Sequence, residues 1–156
     1  MAMTIRDDDT ETLTDAPEAP AGYSLDVQVG FLLRKAQQRH LTIFSAHMSE
    51  DLTPMQFAAL AKLHQVGPCS QNSLGRQTAM DVATIKGVVT RLKARGLVDK
   101  TDSPADRRMH LVALTEAGRA LVERLFPAAL DISGRTLDPL SAEEKAHFMR
   151  LLAKLT

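Results

Sequence analysis

Two groups of basic and hydroxyl side chains lie in the middle of the 156-residue chain. The first has helical spacing and comprises Thr84, Lys86, Thr90, Arg91 and Lys93. The second comprises Asp106, Arg107 and Arg108, in a stretch rich in turn-forming residues. Guanidinium, ammonium and hydroxyl groups bind phosphates and form hydrogen bonds with base edges. The two groups therefore predict an interface for double-stranded DNA rather than a catalytic centre.

A pair of short helices must position the first group. Ser70 predicts a cap for a helix that runs through Thr78, and Asp81 predicts a cap for the next helix. The turn between them, residues 78–81, is as short as a helix-turn-helix requires. In such a motif the second helix lies in the major groove, with its N-terminal residues at the base edges. Its buried face is predicted to be Ile85, Val88, Val89 and Leu92.

The exposed side chains of this second helix differ in what they can contact. We expect Lys86 to reach guanine acceptors, and the small apolar residues Val82 and Ala83 suit a thymine methyl group. Arg91 and Lys93 lie a turn further on and fit backbone phosphates better. The helix is therefore expected to divide its contacts between bases and backbone.

The start of the shorter helix favours a phosphate for a separate reason. Ser70, Gln71 and Asn72 flank free backbone amides at the positive end of the helix dipole, which attracts anions. The alternative interpretation is that Ser70 only caps the helix.

A β-hairpin is predicted directly after the second helix. Its strands cover residues 97–101 and 109–113, and its tip carries Arg107 and Arg108. A salt link from Asp106 to an arginine would make the tip rigid. Such a hairpin can reach a neighbouring groove of the same duplex, so the arrangement is that of a winged helix-turn-helix.

Four further helices are predicted, one of them within this lobe. They begin near Ser24, at Thr53, at Thr115 and at Ser141. The first covers about residues 24–48, Thr53–Gln56 and Ser141–Glu144 have the pattern of capping boxes, and Pro127 predicts a kink. With six helices in all, the fold class is mainly α with a small β-hairpin wing.

Composition and charge limit the class of protein. Aromatic residues make up only 4% of the chain, which favours a helical fold packed by aliphatic side chains. Cys69 is the single cysteine, no apolar run approaches the roughly 20 residues of a membrane span, and the N-terminus lacks the apolar core of a signal peptide. We therefore expect a cytoplasmic protein. The net charge of zero hides an acidic stretch at residues 1–26 and a basic one at residues 76–108.

Several motifs in combination resemble the MarR family of bacterial transcriptional regulators. The family's wing pattern, D-x-R followed by L-T, is matched by Asp106, Arg108, Leu114 and Thr115. Residues 52–57, 91–98 and 114–118 resemble the opening of its second helix, the end of its recognition helix and the start of its long penultimate helix. The resemblance covers about residues 24–155. It implies a homodimer in which the first and last helices of both subunits interlock.

The resemblance also implies roles for the wing. The arginine that matches Arg108 enters the minor groove, and the aspartate that matches Asp106 orients it. The sequence departs from the commoner pattern at Val82 and Gly87, where many relatives carry arginine. Direct reading of bases is therefore expected to be sparse, with more weight on Lys86, the wing and the shape of the DNA.

The predicted organisation follows from these motifs. Residues 1–22 are an acidic arm, predicted to be disordered because they have few large apolar side chains. Residues 23–156 form one domain. Its winged helix-turn-helix lobe is residues 53–114, and its dimerisation helices are residues 23–50 and 115–156.

The resemblance further implies an effector pocket between the first helix, the second helix and the DNA-binding lobe, which often accepts small phenolic or aromatic acids. The candidate lining residues are Arg39, His40, Phe44, His47 and Phe57. Apolar walls with one cationic anchor suit an aromatic carboxylate. The alternative is that His40 and His47 are hydrogen-bonded histidines of the core or of a dimer interface.

The predicted function is that of a repressor that a small aromatic acid releases from a pseudo-palindromic operator. A metal-responsive regulator is disfavoured because the five histidines are scattered. A redox-responsive one would depend on Cys69, whose place before a helix start would lower the pKa of its thiol. Because no second cysteine is available, Cys69 is more simply interpreted as an incidental loop thiol. A helical interaction module without DNA binding is a further alternative. The chain shows no pattern of an enzyme site, and no cofactor is predicted.

Overall fold

Six α-helices and one β-hairpin make up the described part of the chain, residues 20, 22–102 and 110–156 of a computed structural model. The helices are α1 (Val29–His47), α2 (Pro54–Val66), α3 (Gln71–Gln77), α4 (Val82–Ala94), α5 (Glu116–Thr136) and α6 (Ala142–Leu152). The strands are β1 (Val98–Asp102) and β2 (His110–Leu114). The mainly α fold with a winged helix-turn-helix is thus confirmed.

The first predicted helix is divided. A short 3-10 turn, Leu25–Val27, precedes α1, and the backbone is extended at Gln28. The side-chain amide of Gln28 donates to the carbonyl of Ser24 at 3.0 Å, so local hydrogen bonding replaces a continuous helical ladder there. The chain also divides into two compact units, which meet in sequence at Lys35 and Ala36 within α1.

Helix starts follow the predicted caps. Thr53 and Gln56 form a reciprocal capping box at 3.2 and 3.0 Å, and Ser141 and Glu144 form another. The remaining caps are Ser70, Asp81 and Thr115, each of which accepts a hydrogen bond from the amide three residues on. These starts could be predicted because a cap depends only on residues within one turn.

The core of the second unit is aliphatic and lies beneath α2, α4 and α5. Its fully buried members include Leu60, Leu63, Leu74, Ile85, Val88, Leu92, Val98, Val122 and Ile132. The predicted buried face of α4 is confirmed, because all four of its residues are at most 5% exposed. On α5, by contrast, Leu130 is 75% exposed although it continues the apolar stripe of that helix.

The hairpin has the predicted form, with its strands one residue further along. The strands are antiparallel and pair Val98 with Leu114 and Asp102 with His110. Leu97 is excluded from the ladder because its amide bonds to the carbonyl of Leu92 and its carbonyl accepts the amide of Thr115. On the other side of β2, the backbone of Cys69 forms an isolated antiparallel bridge to Val112, with N···O distances of 3.2 and 2.8 Å.

The root of the wing is tightly packed. A Cβ atom at Gly118 would lie 1.9 Å from the carbonyl oxygen of Leu97. The Thr115 hydroxyl donates to the carbonyl of Gly96 at 2.7 Å and also accepts the Gly118 amide. The wing and α5 are therefore joined by backbone contacts that only glycine permits at position 118.

Candidate functional site

The helix-turn-helix is held by a left-handed turn. Ala79 has a φ of 52°, and the amide of Met80 donates to the carbonyl of Gly75 at 2.9 Å. A Cβ atom at Gly75 would lie 3.1 Å from Ile85, so α3 and α4 approach closely here. The turn fixes the direction of α4 relative to α3, which is what aims the second helix of such a motif.

Most of the predicted DNA-reading residues of α4 lie on its exposed side. Lys86, Thr90, Arg91 and Lys93 are exposed, and Thr84 is half-buried. The buried residues of α4 occupy the other side of the helix. At 3.6 residues per turn Lys86 and Lys93 point in nearly the same direction, whereas Arg91 points to the other flank of the exposed surface.

Two of these side chains already have partners within the chain. The Thr90 hydroxyl donates to the carbonyl of Lys86 at 2.8 Å. The Lys93 ammonium lies 2.8 Å from a carboxylate oxygen of Asp99, and this hydrogen bond lowers the pKa of Asp99. The Arg91 guanidinium lies 3.5 Å from the position that a Cβ atom would take at Gly87. The Arg91 side chain therefore lies beside Gly87, at ordinary van der Waals distance from a Cβ atom there.

Asp81 and Ser70 both act as caps. The Asp81 carboxylate accepts the amide of Thr84 at 2.7 Å, and this backbone hydrogen bond lowers the pKa of Asp81. The Ser70 hydroxyl accepts the amide of Ser73 at 3.2 Å. Beside it Gln71 is half-buried and Asn72 is exposed. The capping interpretation of Ser70 is therefore realised, and a phosphate contact at this helix start stays a prediction.

The predicted wing-tip residues Asp106, Arg107 and Arg108 lie outside the described residues. At the described base of the wing, His110 lies 3.3 Å from the carboxylate of Asp102 across the hairpin. The roles assigned to the three tip residues stay predictions.

A row of aromatic rings crosses α1, α2 and α5 at the base of the DNA-binding lobe. Phe44 and Phe57 meet edge to face with ring centroids 6.4 Å apart, and Phe57 meets Phe126 in the same way at 6.5 Å. His40 lies 6.2 Å from Phe44 at one end, and His64 lies 5.1 Å from Phe126 at the other. Three of the five predicted effector-pocket residues therefore belong to one row.

Hydrogen bonds fix both ends of the row. At one end the His40 ring nitrogen lies 3.0 Å from the Thr136 hydroxyl. At the other end the His64 ring nitrogen lies 2.9 Å from a carboxylate oxygen of Glu123. Of the remaining candidates, Arg39 donates to the last carbonyls of α5 at 2.9 and 3.1 Å, and His47 is exposed with its ring nitrogen 2.9 Å from the carbonyl of Ile43.

Comparison with known proteins identifies the family. The model described as MarR family matches residues 50–109. The HTH-type transcriptional repressor NicR of Pseudomonas putida is 44% identical over 145 residues, which are 92% of this chain and 92% of the relative. The chain belongs to the MarR family.

Solved structures of this family superpose on the chain. A probable transcriptional regulator from Pseudomonas aeruginosa has a TM-score of 0.83 and 50% identity, covering 85% of this chain and all of that one. BpsR of Bordetella bronchiseptica, whose DNA binding is regulated by 6-hydroxynicotinic acid, has a TM-score of 0.81 and 44% identity, covering 85% of this chain and 96% of BpsR.

One expectation for this MarR-family chain is wrong. The place of Cys69 before a helix start was expected to lower the pKa of its thiol, but burial raises it. Burial disfavours the charged thiolate, and Cys69 is held against β2 by its bridge to Val112. A raised pKa disfavours a reactive thiolate.

Sequence reasoning missed residues that the structure joins to the site. Phe126 and His64 extend the aromatic row, and Thr136 holds His40. Phe126 lies four residues after Val122, a spacing that indicates the inner side of α5. Its partner on α2, Phe57, could not be inferred because it lies far away in sequence. Arg95, at the predicted end of the second helix of the motif, also binds backbone carbonyls of the loop between α1 and α2.

Residues 20, 22–102 and 110–156 were compared with the requirements of a membrane-spanning helix and of a metal site. No helix there is long and apolar enough to cross a membrane. Within the same ranges, no three His, Cys, Asp or Glu residues are grouped so that they could hold a metal ion.

Proposed function

We propose that this MarR-family chain is a homodimeric transcriptional repressor whose operator binding is released by a small aromatic carboxylate. The observation that carries the proposal is the similarity to BpsR over 85% of the chain, together with an aromatic row at the base of the DNA-binding lobe. The 44% identity to the repressor NicR supports repression as the direction of regulation.

DNA binding is assigned to α4 and the wing. Lys86 and Arg91 are exposed on the side of α4 away from the core, where their charges meet phosphates and base edges. Thr84 and Thr90 supply hydroxyls on the same helix, and Lys93 contributes once its pairing with Asp99 yields to a phosphate. At the wing, Arg108, oriented by Asp106, is assigned to the neighbouring minor groove, and Arg107 adds a second positive charge beside it.

Dimerisation is assigned to apolar surfaces that the chain leaves uncovered. Within α6, all of which is described, no residue is buried, and Phe148, Met149 and Leu151 are all exposed. On α1 the apolar side chains of Val29, Leu32 and Leu33 are exposed as well. Uncovered apolar surface of this extent is covered by a partner in stable proteins, and a second copy presents the same surfaces.

The effector site is assigned to the aromatic row. Phe44, Phe57 and Phe126 offer ring edges and faces for an aromatic acid, because rings pair favourably edge to face and offset. At the α1 end of the row, Arg39 supplies the cationic anchor for its carboxylate and His40 supplies a ring nitrogen beside it. His47 lies two turns from His40 on the same helix.

Release requires that the effector favour one of two arrangements of the dimer. The row joins α1 and α2 to α5, and α5 is joined in turn to the wing root at Gly118. A ligand that wedges between these helices changes how they pack. It shifts the population away from the DNA-binding arrangement in proportion to its preference for the other.

The test is a fluorescence anisotropy titration of the purified protein against labelled DNA from upstream of its own gene. We expect selective binding that weakens steeply with salt and that 6-hydroxynicotinic acid or a related aromatic acid releases. Cyclohexanecarboxylate is the ligand control, since it carries the carboxylate without the aromatic ring. If no aromatic acid releases the bound DNA, the proposed effector class is refuted. If the protein shows no selective DNA binding, the repressor itself is refuted.

A matched pair of variants tests the place of the effector. Phe57→Leu should bind DNA as the wild type does but require about tenfold more effector for release, the effect of losing one favourable ring contact. Met55→Leu changes an exposed side chain of the same helix, outside the row, and should leave release unaltered. Equal effects of the two changes on release would refute the assignment of the effector site to the aromatic row.

A further inference from the structure

The N-terminal half of α4 exposes apolar side chains where a DNA-reading helix commonly presents polar ones. Val82 is 68% exposed, and its neighbour Ala83 is exposed too. Val82 also borders a hollow of about 230 Å³ between α3 and α4, to which Met80 and Ile85 contribute. The exposed apolar surface at the start of α4 is thus continuous with the core between the two helices.

Val82, Ala83 and Lys86 form one patch. They are four and three residues apart on α4, a spacing that places side chains side by side on a helix. Neighbouring polar groups are engaged elsewhere, since Asp81 caps the amide of Thr84 and the Thr90 hydroxyl bonds to a backbone carbonyl. The ion pairs found within residues 22–102 and 110–156 include none to Lys86.

We infer that this patch reads a thymine through its 5-methyl group, at Val82 and Ala83, together with a guanine through Lys86. The inference rests on the proposed function, because it assigns specificity to the helix that would enter the major groove. In that groove thymine alone presents a methyl group, and guanine presents two acceptors that suit an ammonium. A valine discriminates a methyl group by apolar contact and offers no hydrogen bond to the other bases.

The spacing of the patch also predicts the spacing of the bases. Residues one helical turn apart are separated by about 5.4 Å along the axis, while bases on one strand are separated by about 3.4 Å. Val82 and Lys86 should therefore reach bases one or two steps apart. Each half of the operator is expected to contain a thymine and a guanine at that separation.

The experiment changes single chemical groups on the bases of the operator. After a selectively bound fragment has been found by titration, each thymine is changed in turn to deoxyuridine, which lacks only the methyl group. One thymine per half-site should lower the affinity of the wild-type protein about fourfold, the effect of removing one CH₂-sized group from an apolar contact. Val82→Ala should bind the thymine operator less tightly and lose its sensitivity to deoxyuridine at that position.

A control variant and a second substitution complete the test. Val66→Ala makes the same change at an exposed valine of α2 and should keep the full deoxyuridine effect. Replacing the guanine one or two steps away with 7-deazaguanine removes its N7 acceptor and should weaken binding by the wild type but not by Lys86→Ala.

The outcomes separate this inference from the proposed function. Selective binding that no deoxyuridine substitution weakens would overturn the inference and leave the repressor standing. A deoxyuridine effect of equal size in Val82→Ala and the wild type would also overturn it. Absence of selective DNA binding would overturn both. Loss of the effect in Val82→Ala, with its retention in Val66→Ala, supports the assignment.

Discussion

Helices α4 and α6 are built alike but complete their packing in different places. Each begins at a side-chain cap, Asp81 or Ser141, and each carries apolar residues at helical spacing. In α4 the four residues of the apolar face are at most 5% exposed. In α6 the apolar residues Phe148, Met149 and Leu151 are 38%, 51% and 45% exposed.

The difference shows how one amphipathic pattern serves two purposes. Because α2, α3 and β1 pack against the apolar side of α4, its charged side is left for a ligand outside the chain. Because this chain leaves the apolar side of α6 open, a second copy is the natural partner for it. The pattern of residues is similar in both helices, and the neighbours decide which side is free.

The largest effect is expected from Leu92→Ala. Leu92 is a fully buried residue on the apolar face of α4. Truncating it leaves a cavity and should lower the free energy of unfolding by about 2–5 kcal/mol. Urea unfolding at two protein concentrations measures this change. A loss of less than about 1 kcal/mol would mean that the core of its own chain does not fix α4. It would contradict the difference drawn between α4 and α6.

The matched change on α6 is Leu151→Ala. Since Leu151 is exposed within one chain, we expect its truncation to act on association, raising the dimer dissociation constant by roughly tenfold. Sedimentation equilibrium measures the constant for both proteins. An unaltered constant, or a loss of stability that does not depend on protein concentration, would contradict the role given to α6.

A smaller gain is expected from Ala79→Gly in the turn before α4. The φ of Ala79 is 52°, a conformation that costs a residue with a Cβ atom about 1–2 kcal/mol. Glycine removes this cost but is freer in the unfolded chain, so the net stabilisation should be about 0.5–1 kcal/mol. Thermal unfolding measures it. A loss of stability would show that contacts of the Ala79 methyl outweigh the strain.

The smallest effect is expected from Asp81→Asn, which keeps a cap but removes its charge. The hydrogen bond from the Thr84 amide lowers the pKa of Asp81 below its ordinary value of 3.8. The contribution of the ionised cap is therefore present above pH 3.8 and is lost as pH falls through the lowered pKa. The melting temperatures of wild type and variant should converge in acid, and a constant difference across this range would refute the assignment.

Much of the fold could be predicted because its signals are local. The caps at Thr53, Ser70, Asp81, Thr115 and Ser141 each depend on residues within one turn. The buried face of α4 follows from its spacing alone, and the motifs between residues 52 and 118 indicated the family. The placement of Lys86 and Arg91 on an exposed face followed in the same way.

Other features could not be predicted because their partners are distant in sequence. The strands lie one residue later than expected, since Leu97 is taken up by contacts with Leu92 and Thr115. Arg39 and His40 bind the end of α5, about a hundred positions further along the chain. Phe126 joins Phe57 only because α2 and α5 pack together.

The sequence by itself therefore determined where five of the six helices start, which side of α4 faces outward, and that the chain is a MarR-family regulator. Those properties depend on the period of a helix and on hydrogen bonds between near neighbours. Only the tertiary structure decided that the rings of three helices form one row, that burial raises the pKa of Cys69, and that α6 is left uncovered. Contact and desolvation depend on what lies opposite in space, and no local pattern of residues records that.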